Sequence, residues 1–132
     1  MTRQTFMSLA AGVSVVSGLT ALLAPAQLAM GFGATLDDAG IVQTRLLGAA
    51  YLGYAAIVWF GRDIRDLAAR RAIAIGNVVG YGLSAAVTVA AVVLEIAGIQ
   101  SLALVALEVV LAVAWGYFAL LERGEGMVVD TR

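Results

Sequence analysis

Residues 72–94 read AIAIGNVVGYGLSAAVTVAAVVL, with Arg71 before them, Glu95 after them and no charged side chain between. A helix rises ~1.5 Å per residue and a bilayer's hydrocarbon core is ~30 Å thick, so this stretch suffices for one crossing. Charges punctuate the rest of the chain in the same way. None stands between Arg3 and Asp37, none between Arg45 and Arg62, and after Ser101 only Glu108 interrupts an apolar run to Leu121. The spacing predicts spans over about 5–23, 41–60, 71–97 and 101–121, an inner loop over 61–70 and a polar, frayed tail over 122–132. The expected fold is a single all-α domain, an integral membrane four-helix bundle.

Composition agrees. The 132 residues are 62% hydrophobic and 13% charged, against roughly 45–50% and about 25% in soluble domains. The mean hydropathy is +0.97. Histidine, cysteine and lysine are all absent. Their absence removes disulfides, thiol chemistry, imidazole ligation and lysine Schiff bases, so no metal, cofactor or catalytic residue is expected. A nucleophile would have to be Ser14, Ser17, Ser84, Thr88 or a tyrosine, with no histidine or lysine as base. Phosphate loops and nucleic-acid patches are missing too.

The first apolar run is longer than a secretory h-region of about 7–15 residues and continues past Pro25, so a retained span is expected. Pro25 cannot continue the helical ladder, and residues 26–30 are expected to form a short interfacial segment. Arg62, Arg65, Arg70 and Arg71 crowd the inner loop, and Arg3, Arg123 and Arg132 mark the termini. The opposite side carries Asp37, Asp38 and, near the edge, Arg45. Short basic loops stay cytoplasmic, which predicts both termini inside. The inner-loop arginines read as a topology signal, with attraction to anionic lipid as the alternative. Asp66–Arg70 has the spacing of a helical ion pair. Trp59, Trp115 and Tyr117 suit an aromatic belt, and Asp37/Asp38 suit a helix-entry cap.

In lipid, small residues mark where helices approach closely. Ala72, Gly76, Gly80, Ser84 and Thr88 recur at steps of four, as do Ser14–Gly18 and Ala49–Gly53. These faces are expected to pack within the bundle; a dimer interface is the alternative. Three charges fall inside the spans: Arg45, Glu95 and Glu108. Arg45 lies ~6 Å deep, Glu95 at a similar level and Glu108 ~10 Å deep by helix rise. A mid-membrane charge costs ~2.5–3.5 kcal/mol on insertion scales and usually pairs or lines a cavity. Arg45, on a face with Gly48, Ala49, Leu52, Gly53 and Ala56, is expected to turn inward and pair with Glu108, with Glu95 at the rim. Glu108 shares its face with Ser101, Ala112, Trp115 and Ala119. Asn77 and Gln43 are expected in helix–helix or interfacial hydrogen bonds.

Pro25, Asp37/Asp38, the run Arg45-Leu46-Leu47-Gly48-Ala49-Ala50 and Glu108 together resemble small four-span bacterial membrane proteins of domain-of-unknown-function families. The resemblance covers about residues 6–121. Where some of those proteins carry a further basic residue on the third span and a proline after the glutamate, this chain has Ser84–Ala86 and Ala112. The resemblance implies the four-span fold and an Arg–Glu pair, and brings no activity with it. The sequence alone favours a non-enzymatic accessory, assembly or scaffold component, a homo-oligomer or a subunit of a larger membrane complex. A small homo-oligomeric transporter or channel using Arg45, Glu95 and Glu108 is the alternative. The lipid bilayer is the expected partner, and nucleic acid is not.

Overall fold

A computed structural model describes the backbone of residues 1–129 and the side chains of residues 1–120. The described residues form helices α1 (Arg3–Leu23), α2 (Pro25–Gly31), α3 (Asp38–Gly61), α4 (Leu67–Val93) and α5 (Leu102–Val129), with a 3-10 turn at Ile99–Ser101 and no strand. Four of them, all but the seven-residue α2, are long and apolar enough to cross a membrane. The chain is an all-α integral membrane bundle.

Caps decide where the helices begin. Thr2, Asp37 and Asp66 each accept a hydrogen bond from the backbone N–H three residues on, satisfying a donor that the first helical turn leaves open. Asp66 is therefore the cap of α4, and the inner loop is shorter than the arginine spacing predicts. Arg70 and Arg71 sit on the first turn of α4 instead of in the loop. Pro25 occupies the first position of α2, where its missing N–H is harmless.

The third span also ends earlier than expected, at Val93 instead of residue 97. Glu95 adopts φ 59°, the left-handed conformation that closes a helix. Its N–H donates to the Val92 carbonyl and that of Ile96 to the Ala91 carbonyl, the paired bonds of a Schellman turn. Glu95 is an exposed capping residue outside the helix, where glycine usually stands. A side chain in that conformation costs roughly 1–2 kcal/mol. Glu95→Gly is therefore expected to stabilise the protein by about 1 kcal/mol, read as a later midpoint on SDS titration of the micellar protein; an earlier midpoint refutes the cap assignment. α5 stays helical past Leu121 to Val129, where a frayed tail is expected from the sequence. Arg123 lies beyond the described side chains and Arg132 beyond the described residues.

The bundle is two helix pairs. Contacts concentrate between α1 and α3 and between α4 and α5, while α3 and α4 touch sparsely. At one end Arg3 donates to the Arg62 carbonyl (2.8 Å) and the Ile64 carbonyl (3.1 Å), fastening α1 to the loop between α3 and α4. At the other end the Phe32 carbonyl accepts from the Gly98 N–H (3.0 Å) and the Ser101 hydroxyl (3.3 Å), joining the connections that follow α2 and α4.

The closest approach within the first pair is Gly18 against Gly48. A Cβ on Gly48 would stand 2.7 Å from the Gly18 carbonyl oxygen and 2.7 Å from the Leu22 nitrogen. On α1 the expected Ser14 and Gly18 face is indeed buried. On α3 the face is corrected: Ala49 and Gly53 are exposed, and Gly48, Ala55, Val58 and Gly61 are buried. On α4 the steps-of-four seam is corrected as well. Ala72, Gly76 and Gly80 are exposed, Ser84 and Thr88 are half-buried, and Ala74, Asn77 and Ala85 are the buried positions. A row at steps of four advances about 40° per step round a helix, so it winds from the outside of the bundle to the inside.

The apolar core, toward the Arg3 end, unites Phe6, Met7, Ala10, Ala11, Val58, Ala74, Leu111 and Trp115. Phe6 meets Trp115 edge-on at 4.9 Å and stacks on Phe118 at 5.1 Å. Trp115 therefore belongs to the core and not to an interfacial belt. Trp59 and Tyr117 are exposed, and the Arg62 guanidinium lies 3.6 Å from the centre of the Trp59 ring.

Candidate functional site

Above this core, Glu108 points inward from α5 and is 2% exposed. It sits on the α5 face that also buries Ser101, Leu111 and Trp115. Its Oε1 accepts a hydrogen bond of 2.5 Å from the Ser84 hydroxyl on α4, and its Oε2 has no partner. Ser84 is free for this bond because of its place on α4. The hydroxyls of Ser14, Thr20, Thr44 and Thr88 instead donate to the carbonyl four residues back.

The expected Arg45–Glu108 pair does not form. Arg45 is exposed on α3, and among the described residues the ion pair present is Arg62–Asp63 at 3.4 Å. The inward face of α3 is the one carrying Gly48 and Ala55, roughly a quarter of a turn from the Arg45, Ala49 and Ala56 side. Glu95, in its turn, is exposed and no rim partner either. The three charges expected to cluster are thus separated, and only Glu108 is interior. Gln43 is exposed, and Asn77 bonds to the Ile73 carbonyl of its own helix at 2.7 Å. Among the described residues no group of three acidic, histidine or cysteine side chains converges as for a metal.

What surrounds Glu108 instead is a set of hydroxyls. A small cavity of about 30 Å3 is bordered by Glu108, Ser14, Ser17, Tyr51 and Tyr81, with leucines and Val13 closing it. That is close to the share of liquid volume of one water molecule. Tyr51 and Tyr81 also border a second space, a groove of about 260 Å3 between α3 and α4, together with Tyr54, Asn77, Gly80 and Ser84. Tyr54 and Tyr81 meet edge-on across the groove at 6.3 Å. Tyr54 Oη and Asn77 Oδ1 are buried and unpartnered, like Glu108 Oε2.

The tyrosines were the residues sequence reading passed over. Their signal was position: Tyr51, Tyr54 and Tyr81 lie in mid-span, away from the interfaces where tyrosine normally settles. A hydroxyl at that depth needs a partner. The polar seam follows the line where the two helix pairs meet, because each pair already satisfies its own close packing. Chemically, the seam offers one carboxyl and several hydroxyls in a low-dielectric interior, and among the described residues no cationic side chain bonds to the carboxyl. Comparison with protein-family models, curated proteins and solved structures found no match to this chain.

Proposed function

We propose that this chain is a non-enzymatic multi-pass protein of a bacterial inner membrane that handles a proton or small cation at Glu108. In this reading both termini are cytoplasmic, and the protein works as a homo-oligomer or as a subunit of a larger membrane complex. The observation that carries the reading is Glu108 itself: a carboxyl 2% exposed, with one oxygen unpartnered beside a cavity that several hydroxyls border and, among the described residues, no arginine bonded to it. Intramembrane acids are expensive to insert and are found where ions or protons are handled. Arg45 takes no part, so the transport alternative stands on Glu108 and its hydroxyls alone. Orientation is supported by Arg3, Arg62, Arg65, Arg70 and Arg71 lying toward one end of the bundle. The resemblance through Arg45, Gly48 and Glu108 to the four-span families belongs to this reading.

The test is flux. Protein in liposomes is expected to dissipate an imposed proton or sodium gradient, and Glu108→Gln, which keeps the side chain's shape, is expected to abolish at least nine-tenths of that rate, on the order of a tenfold loss for one charged contact. Wild-type vesicles no leakier than empty ones would sink the reading. The accessory or scaffold reading is favoured by one feature: beside Gly76, a Cβ would meet nothing within 4 Å. A stripe of Ala72 and Gly76 open to the bilayer admits a close helix neighbour from another subunit. Gly76→Leu is expected to lower the mass of the particle extracted in mild detergent; an unchanged mass counts against that interface.

A further inference from the structure

Open hydrogen-bond acceptors stand along the polar seam. Asn77 is 5% exposed; its Nδ2 is committed to the Ile73 carbonyl, which leaves Oδ1 as a bare acceptor bordering the groove. Across the groove Tyr54 Oη is also buried and unpartnered, and a phenol oxygen accepts as well as donates. Behind Ser84 stands the third, Glu108 Oε2. Three aromatic rings, Tyr51, Tyr54 and Tyr81, border the same space, and ring faces attract cations. The volume, about 260 Å3, lies just below the usual range of small-molecule sites. Gly80 lines one wall, and beside it a Cβ would meet nothing within 4 Å.

We propose that the α3–α4 groove is a binding site for a small organic ammonium ion with an apolar body, whose N–H groups satisfy Asn77 Oδ1 and Tyr54 Oη. The ammonium supplies donors to these open acceptors and a positive charge to the ring faces. Its hydrocarbon body suits a site bordered by Leu47 and tyrosine rings. An anion offers Asn77 Oδ1 no donor, and a neutral alcohol offers one donor and no charge. The inference rests on the reading of the chain as a cation-handling protein and names the class of cation.

The probe is 4-fluorobenzylammonium, followed by 19F NMR line broadening against the full-length protein in nanodiscs, with benzyltrimethylammonium, benzyl alcohol and benzoate as comparators. The primary ammonium is expected to bind at least tenfold tighter than the trimethylated ion, which has no N–H, and benzoate is expected not to bind. Tyr54→Phe and Asn77→Leu are each expected to weaken binding about tenfold. Gly80→Leu fills the groove from an open position and is expected to abolish binding while the SDS unfolding midpoint is kept. Equal binding of benzyltrimethylammonium, or full binding by Gly80→Leu, overturns the proposal. Binding lost in Glu108→Gln but unchanged in Tyr54→Phe and Asn77→Leu also overturns the groove and leaves the Glu108 reading standing. Binding that follows the groove variants, in a protein whose liposomes show no flux, upholds the groove and removes the Glu108 reading.

Discussion

Gly48→Val is expected to destabilise the bundle by about 3 kcal/mol, the upper end of the overpacking range. The reason is what the new atoms would meet. The first added carbon alone would stand 2.7 Å from the Gly18 carbonyl oxygen, 2.7 Å from the Leu22 nitrogen and 3.1 Å from the Ala21 carbonyl carbon. All three belong to the backbone of α1, which cannot rotate aside as a side chain would. Relief requires the two helices to move apart along their length, and in lipid close packing is a main part of what holds them together. Gly53→Ala on the same helix is the control. Its Cβ meets nothing within 4 Å, so it is expected to gain the roughly 0.5–1 kcal/mol by which alanine exceeds glycine in a helix. SDS-induced unfolding followed by circular dichroism reads both. Coincident midpoints for Gly48→Val and wild type would mean that α1 and α3 do not cross at Gly18 and Gly48.

The second large effect lies at the other end of the bundle. Trp115 is 1% exposed and is among the largest fully buried side chains among the described residues. It packs edge-on against Phe6 at 4.9 Å and belongs to the cluster with Met7, Ala10 and Val58. Removing it leaves a cavity between the two helix pairs. In soluble proteins tryptophan to alanine changes cost about 3–5 kcal/mol, through lost transfer energy and an unfilled cavity. In a bilayer the transfer part shrinks, because lipid tails are as apolar as the core, while the lost contacts remain. Trp115→Ala is expected to cost about 3 kcal/mol. Trp59→Ala, at an exposed ring that holds only the Arg62 guanidinium, is expected to cost less than about 1 kcal/mol. If the two cost the same, Trp115 is interfacial after all. A double-mutant cycle with Phe6→Ala sharpens the point: a coupling of about 0.5–1.5 kcal/mol is expected for an edge-on aromatic pair.

These two sites also show what was legible beforehand. Gly18 stood in a predicted packing row and does pack. Gly48 shares the Arg45 stripe, yet residue size along that stripe points equally to Ala49 and Gly53, which are exposed. On α5 the shared face of Ser101, Glu108 and Trp115 was readable from spacing, because those residues fall on one stripe of a 3.6-residue helix and all three are buried. On α3 and α4 spacing misled. Both helices are apolar on nearly every side, so polarity did not mark which side turns inward. Smallness was used in its place. It selected the Ala49/Gly53 side of α3, whereas the bundle turns Tyr51 and Tyr54 toward the interior along with Gly48.

The sequence by itself determined that this is an all-helical membrane chain with four crossings. It also placed an acid, Glu108, where no charge belongs. Those properties depend on the length of uncharged runs, which a linear pattern records in full. The tertiary structure decided Glu108's company. In a soluble helix the polar face reports the rotation, because water claims it; in lipid both faces are apolar, and rotation is set by contacts between segments far apart in the chain. That is why Arg45 lies outside, why Glu95 closes a helix, and why Ser84, Tyr51 and Tyr81 surround the buried Glu108 carboxyl.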